Sequence, residues 1–130
     1  MAATYLDSSA IVKLVVEEPQ STALRRHLRR RTPLVSSALA RTEVLRALLL
    51  EGDVALARAR DALARIDMIR INDRILNAAG LLAPPDLRSL DAIHLASAQQ
   101  LGRDLGDLVT YDGRMVAAAR QLGLNTSSPA

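Results

Sequence analysis

Short apolar runs alternate along this chain with segments whose apolar residues recur every three or four positions, as strands interleaved with amphipathic helices would. Thr4-Tyr5-Leu6 is the first run and Ala10 to Val16 the first periodic segment, with Asp7, Ser8 and Ser9 between them. Hydroxyl residues cap helices well, so Ser8 and Ser9 are expected to cap and to leave Asp7 free. Glu17-Glu18-Pro19 breaks the pattern, because the residue before proline is pushed out of the helical region. Gln20 to Arg31 resumes it, with Ala23, Leu24 and Leu28 on one face, and Pro33 ends it. Leu34-Val35-Ser36 reads as a second strand, and Ser37 as the cap of a long helix that Gly52 closes after Glu51. Asp53 is expected to cap Val54 to Ile66, which carries Leu56, Ala59, Leu63 and Ile66 along one stripe. Met68 to Ile71 is a third strand, Asp73 to Leu82 a helix, and Pro84-Pro85 a loop. Ser89 opens a helix running to Gln100 or Leu101, and Gly102 to Asp107 is a turn-rich link. Leu108 to Tyr111 follows as a fourth strand ending at Asp112. Arg114 to Leu122 is helical, Gly123 stops it, and Leu124-Asn125-Thr126 is a last edge strand.

Strands alternating with helices imply an α/β protein, a parallel sheet covered on both faces. No internal repeat or linker divides residues 1–130, so one domain is expected. Composition narrows the core: 49% of residues are apolar, yet Phe and Trp are absent and Tyr5 and Tyr111 are the only aromatics. Leu, Ala, Val and Ile must build it. There is no cysteine, which excludes disulfides and thiolate metal sites. No apolar run approaches the roughly 20 residues needed to cross a bilayer, and no basic-flanked apolar leader is visible. A soluble, cytoplasmic protein with no membrane partner is the expectation. The formal charge of +3 comes from 17 basic residues, of which Lys13 is the only lysine. An excess this small reflects a coding bias toward Arg more than a polyanion partner.

The chemistry lies in four acids. Asp7 and Asp112 each end a strand, Asp91 lies in the first turn of a helix, and Glu43 lies about two turns into the helix after the second strand. Singly, each has an ordinary explanation: a helix N-terminus favours acids, Glu43 could pair with Arg41 or Arg46, and Asp112 precedes a turn glycine. Together they mean more, because strand ends and helix N-termini open onto the same edge of a parallel sheet, where ligands bind. Carboxylates crowded there raise one another's pKa unless a cation joins them. Oxygen-only ligands select Mg²⁺ or Mn²⁺ over zinc, and such sites serve phosphate-ester hydrolysis.

The chain resembles the PIN-domain nucleases, and within them the small VapC-type toxins of type II toxin–antitoxin systems. The matching segments are Tyr5 to Ala10, Thr42-Glu43-Val44, Leu90 to Ala96, Val109 to Asp112 and Ala117 to Gly123, in the family's order and spacing over essentially the whole chain. The resemblance implies a Rossmann-like sheet of strand order 3-2-1-4-5, with the strands bearing Asp7 and Asp112 as neighbours. It implies an Mg²⁺- or Mn²⁺-dependent endoribonuclease whose catalytic and metal-binding acids are Asp7, Glu43, Asp91 and Asp112. Ser8 or Thr110 would then position water or phosphate. A homodimer and inhibition by a VapB-type antitoxin are further implications. Some relatives carry another acid shortly after the fourth, but here Gly113, Arg114 and Met115 follow, which puts a second metal ion in doubt.

Other residues read as follows. His94 shares a helical face with Asp91, and is expected to be a packed histidine bonded locally rather than a proton shuttle. His27 is expected at the surface. Arg25 to Arg31 forms a basic face that either binds RNA or an acidic antitoxin segment, or is simply solvated. Arg114, just past Asp112, is better placed to hold a phosphate. Leu48-Leu49-Leu50 cannot all face one core, so part of it would form a dimer or antitoxin surface. Two alternative functions remain, a PIN nuclease of RNA maturation and a catalytically silent PIN-fold binding protein. A receiver-like signalling domain is set aside, because it needs a lysine after a late strand.

Overall fold

A computed structural model describes residues 2–130. Its centre is a five-stranded, all-parallel sheet in the order β3-β2-β1-β4-β5. The strands are β1 (Ala3–Leu6), β2 (Leu34–Ser37), β3 (Asp67–Ile69), β4 (Leu105–Val109) and β5 (Thr126–Ser127). The helices are α1 (Ser8–Val15), α2 (Ser21–Leu28), α3 (Ala40–Leu48), α4 (Asp53–Ala64), α5 (Asp73–Gly80), α6 (Ser89–Gln99) and α7 (Gly113–Gln121). Single 3₁₀ turns at Leu49–Glu51 and Gly102–Asp104 complete the set.

Alternation along β1 explains the layers. Leu6 joins Ile11, Leu24, Val44, Leu63 and Val109 in a core built with α1, α2, α3 and α4. Ala3 and Tyr5 join Val35, Leu95, Leu108, Met115 and Ala119 in a core built with α6 and α7. Ile75 and Ala79 of α5 pack against Ala92 and Ala96 of α6 in a third cluster. With helices on both faces, every central strand is buried on both sides, so its sequence reads as a nearly continuous apolar run. The chain proceeds outward from β1 to β2 and β3, then returns to place β4 on the other side of β1. That reversal opens a crevice beyond the carboxyl ends of β1 and β4, where Asp7 and Asp112 lie.

Several boundaries differ from the sequence expectation. Strand β4 begins at Leu105, so half of the expected turn is sheet, and it ends at Val109, leaving Thr110 to Asp112 as a loop. Its register with β1 slips by one residue, with Ala3 paired to Leu105 and Thr4 to Asp107. Gly106 is the extra residue of this bulge, and a Cβ there would stand 2.8 Å from the Ala2 methyl and 3.3 Å from the Ala3 carbonyl oxygen. Ser37 stays in β2 and does not cap a long helix; α3 starts at Ala40, which moves Glu43 into its first turn. Gly52, at φ 95°, precedes α4, and Asp53 lies in that helix's first turn instead of capping it. Asn72 caps α5, its Oδ1 accepting from the Ile75 amide at 2.9 Å.

Candidate metal and nuclease site

The local sequence at the end of β1 makes Asp7 both a cap and the hub of the crevice. Asp7, not Ser8 or Ser9, is the N-cap of α1. Its Oδ1 accepts from the Ala10 amide at 3.1 Å and from the Ser9 hydroxyl at 2.6 Å. Its Oδ2 accepts from the hydroxyl of Thr110. The expectation failed because a carboxylate has several acceptor positions: one oxygen caps while the other faces the neighbouring strand. Ser9 Oγ also accepts from the Tyr111 amide at 3.0 Å, and Thr110 Oγ from the Asp112 amide at 3.1 Å. The ends of β1 and β4 are thereby tied together through the buried Thr110 hydroxyl and the half-buried Ser9 hydroxyl. Asp112 caps α7, its Oδ1 accepting from the Arg114 amide at 2.9 Å.

Glu43 belongs to a second network. Its Oε1 accepts from the Ser8 hydroxyl at 2.6 Å and lies 2.6 Å from Nε2 of His94, so neither Arg41 nor Arg46 is its partner. A carboxylate can only accept, which puts the proton on Nε2. The Nδ1 of the same ring is 2.8 Å from the Tyr5 hydroxyl, which donates to it. His94 is therefore packed, as expected, with only 2% of its side chain exposed, but its bonds are not local. They join β1, α1, α3 and α6 in one chain, Tyr5–His94–Glu43–Ser8. Nothing in the spacing of Tyr5, Glu43 and His94 signals this, because the three lie on different elements.

Electrostatics separates the acids. Burial raises the pKa of Asp7, against the lowering effect of the bonds from Ser9, Thr110 and the Ala10 amide. Burial also raises that of Asp91, and the charges of Asp112 and Asp7 add to it, while His94 and Arg88 oppose. For Glu43, partial burial pushes upward, but the bonds from His94 and Ser8 outweigh it and leave the pKa lowered. Tyr5 is raised by burial and by the charge of Asp7, so its hydroxyl stays protonated.

The four predicted acids thus line one edge of the sheet, with Asp91 within reach of the charges of Asp112 and Asp7 and Glu43 bonded to His94. Among the described residues, no three acidic or histidine side chains stand close enough to hold an ion by themselves. The donor set is carboxylate oxygen, and the repulsion that raises Asp91 is what a hard divalent cation relieves, so the residues suit such an ion in chemistry. Thr110 is fully buried and acts as a brace within the site. Ser8 is bonded to Glu43. Arg114 is exposed and, among the described residues, forms no ion pair.

One further reading is corrected by the fold. His27 is not a free surface residue: its Nε2 lies 3.0 Å from Asp107, and both side chains are largely covered. The Arg25–Arg31 face is partly engaged, Arg25 in a two-bond contact with Glu17 and Arg31 with the His27 carbonyl. Of the leucine triplet, Leu48 is in the core, while Leu49 is half exposed and Leu50 fully exposed.

Residues 4–121 match the PIN domain family. Over 129 residues, 99% of both chains, the sequence is 61% identical to Ribonuclease VapC46 of Mycobacterium tuberculosis. Ribonuclease VapC47 and Ribonuclease VapC35 of the same organism are 38% and 43% identical over 96% of each chain. A toxin–antitoxin complex from Klebsiella pneumoniae contains a chain that superposes with a TM-score of 0.74 at 22% identity, over 98% of each chain. Mycobacterium tuberculosis VapC20, described as a toxin cleaving the sarcin–ricin loop, superposes with a TM-score of 0.73 at 18% identity, over 89% of this chain and 95% of that one. At those identities the two structures speak to the fold alone.

Proposed function

The chain belongs to the PIN-domain family, and we propose that it is a metal-dependent endoribonuclease acting as the toxin of a VapBC-type pair. The observation that carries this reading is the electrostatic coupling of Asp91 to Asp112 and Asp7 at the carboxyl edge of the sheet. Full-length similarity to Ribonuclease VapC46 supports the substrate class.

Asp7, Asp91 and Asp112 would hold Mg²⁺ or Mn²⁺, with Glu43 completing the anionic rim. When bound, the ion supplies positive charge that acidifies a water molecule and neutralises the phosphodiester. The protein's own contribution is positioning. Ser9, Thr110 and the Ala10 amide fix both oxygens of Asp7, and the Thr110 loop carries Asp112 to the same edge. His94 and Ser8 hold the ionised Glu43 in place through its Oε1, from where the carboxylate would accept a proton from an attacking water.

The partners we propose are RNA, a cognate VapB-type antitoxin and a second copy of the chain. Exposed Leu49, Leu50 and Val54 at the α3–α4 corner offer apolar surface for a protein contact. The decisive experiment is mapping of new 5′ and 3′ ends on total RNA after brief induction, with Asp7→Asn as control. Discrete ends that depend on Asp7 are expected. Growth arrest on expression, reversed by the small protein encoded beside it, is expected as well. Cleavage that persists unchanged in Asp7→Asn sinks the site assignment.

A further inference from the structure

Beside the acids lies a cavity of about 460 Å³, bounded by the Pro84–Arg88 loop, the first turn of α6 and one face of α7 from Arg114 to Gln121. Asp91 belongs to its wall, so it opens directly off the acid cluster. Its lining is mixed: Leu87, Ala117 and Ala118 are apolar, Arg88 and Arg114 carry guanidinium groups, and Asp86 stands with Asp91 as a second carboxylate. Among the described residues neither arginine forms an ion pair. Arg88 offsets part of the charge around Asp91, and Arg114 is exposed beside it.

The combination has a chemical logic. A polynucleotide approaching Asp7, Asp91 and Asp112 meets negative charge, so phosphates adjoining the cleaved one need cations fixed by the protein. Arg88 and Arg114 supply them on the Asp91 side. Apolar lining within one cavity that also carries two arginines suits a base attached to a phosphate that those arginines hold, with Asp86 and Asp91 available to accept from the base's amino groups. The volume lies within the range of small-ligand sites, which suits one unpaired nucleotide and is too small for a duplex. RNA is read chiefly where bases are unstacked and can be turned into such pockets. Tyr5 and Tyr111, the chain's only aromatics, are not among the lining residues, so the base would be held by shape and edge bonds rather than by ring stacking. Gln121 at the rim can both donate and accept such bonds.

We propose that this cavity is the binding subsite for a single unpaired nucleotide flanking the cleaved bond, with Arg88 and Arg114 on its phosphate and Leu87, Ala117 and Ala118 against its base. The proposal rests on the ribonuclease reading above. It makes the α6–α7 junction the place where sequence context around the cut is read, separate from the acids that perform the cut.

The test uses the full-length protein with Mg²⁺ and a short RNA containing a mapped cleavage site. Each nucleotide within two positions of the cut is replaced in turn by an abasic residue. At one position KM should rise roughly tenfold while kcat stays within about twofold, the mark of lost binding common to ground and transition states. Ala117→Leu, at an exposed helix position, fills the cavity and should raise KM for the intact RNA to a similar degree. The same variant should leave KM unchanged for the RNA already abasic at the sensitive position, because both changes remove one contact. If no abasic position alters kcat/KM, or if Ala117→Leu cuts intact RNA with unaltered KM, the subsite is refuted while the nuclease reading stands. If the wild type cuts no RNA at all, both fall.

Discussion

Asp7 concentrates the site's energetics in one side chain. Burial makes its charge costly, and three donors partly compensate without removing the upward shift. In the unfolded chain the group ionises near 3.8, and in the folded chain at higher pH. Between those values the folded state binds more protons, so raising the pH costs stability through that window, and the cost stays in place above it. Without divalent cations, Asp7→Asn should therefore match the wild type below pH 3.8 and gain on it as pH rises. At neutral pH its melting temperature should be the higher of the two. A melting-temperature difference that does not change between acidic and neutral pH counts against a buried, strained carboxylate. Thr110 tests the brace. Thr110→Val removes the donor to Asp7 and the acceptor for the Asp112 amide at a fully buried position, and should cost about 1–3 kcal/mol in urea unfolding. Thr110→Ser, which keeps the hydroxyl, should recover most of that loss.

At the scale of elements, local pattern and tertiary constraint divided the work. The alternation of apolar runs with periodic segments located every strand and helix, because burial on both sheet faces and along one helix stripe leaves that pattern in the sequence. The ends were less legible. Ser37 has the side chain of a cap, yet the chain remains extended there and α3 begins only at Ala40. Strand β4 extends back to Leu105 because β1 offers it a bulged partner, and no local signal marks such a bulge except the glycine itself. At Gly106 a side chain would be driven against Ala2 and the Ala3 carbonyl. Gly106→Val should destabilise the protein by about 1–3 kcal/mol, with a correspondingly lower urea midpoint and an unchanged m-value. A neutral effect would mean that the β1–β4 junction yields more easily than its close contacts imply. Because that junction carries both Asp7 and the Thr110 loop, the same variant should also weaken the response to Mg²⁺.

For the whole molecule, the strand order is what brings four acids scattered along the sequence to one edge of the sheet. Asp91 feels the charges of Asp112 and Asp7 only because β4 returns beside β1 and α6 packs across the same edge. A cation that binds them stabilises the folded state alone, since the unfolded chain disperses the acids. Millimolar Mg²⁺ should raise the melting temperature of the wild type, by an amount set by its concentration over Kd, and should do so less for Asp91→Asn. No shift in either protein would contradict a carboxylate cage. The proposed cage and the proposed nucleotide cavity lie side by side on this edge and share Asp91.

The sequence by itself determined the alternation of elements, the four acids at strand ends and first turns, and the family to which they correspond. It could do so because burial periodicity and the chemistry of strand ends are local and survive in residue order. Tertiary structure alone decided which atoms meet. It turned Asp7 into a cap and a hub at once, joined Tyr5, His94, Glu43 and Ser8 across four elements, covered His27 with Asp107, and left a cavity beside Asp91. Those contacts join residues far apart in the chain, and the register and packing that create them are fixed by the sheet as a whole rather than by any segment's own pattern.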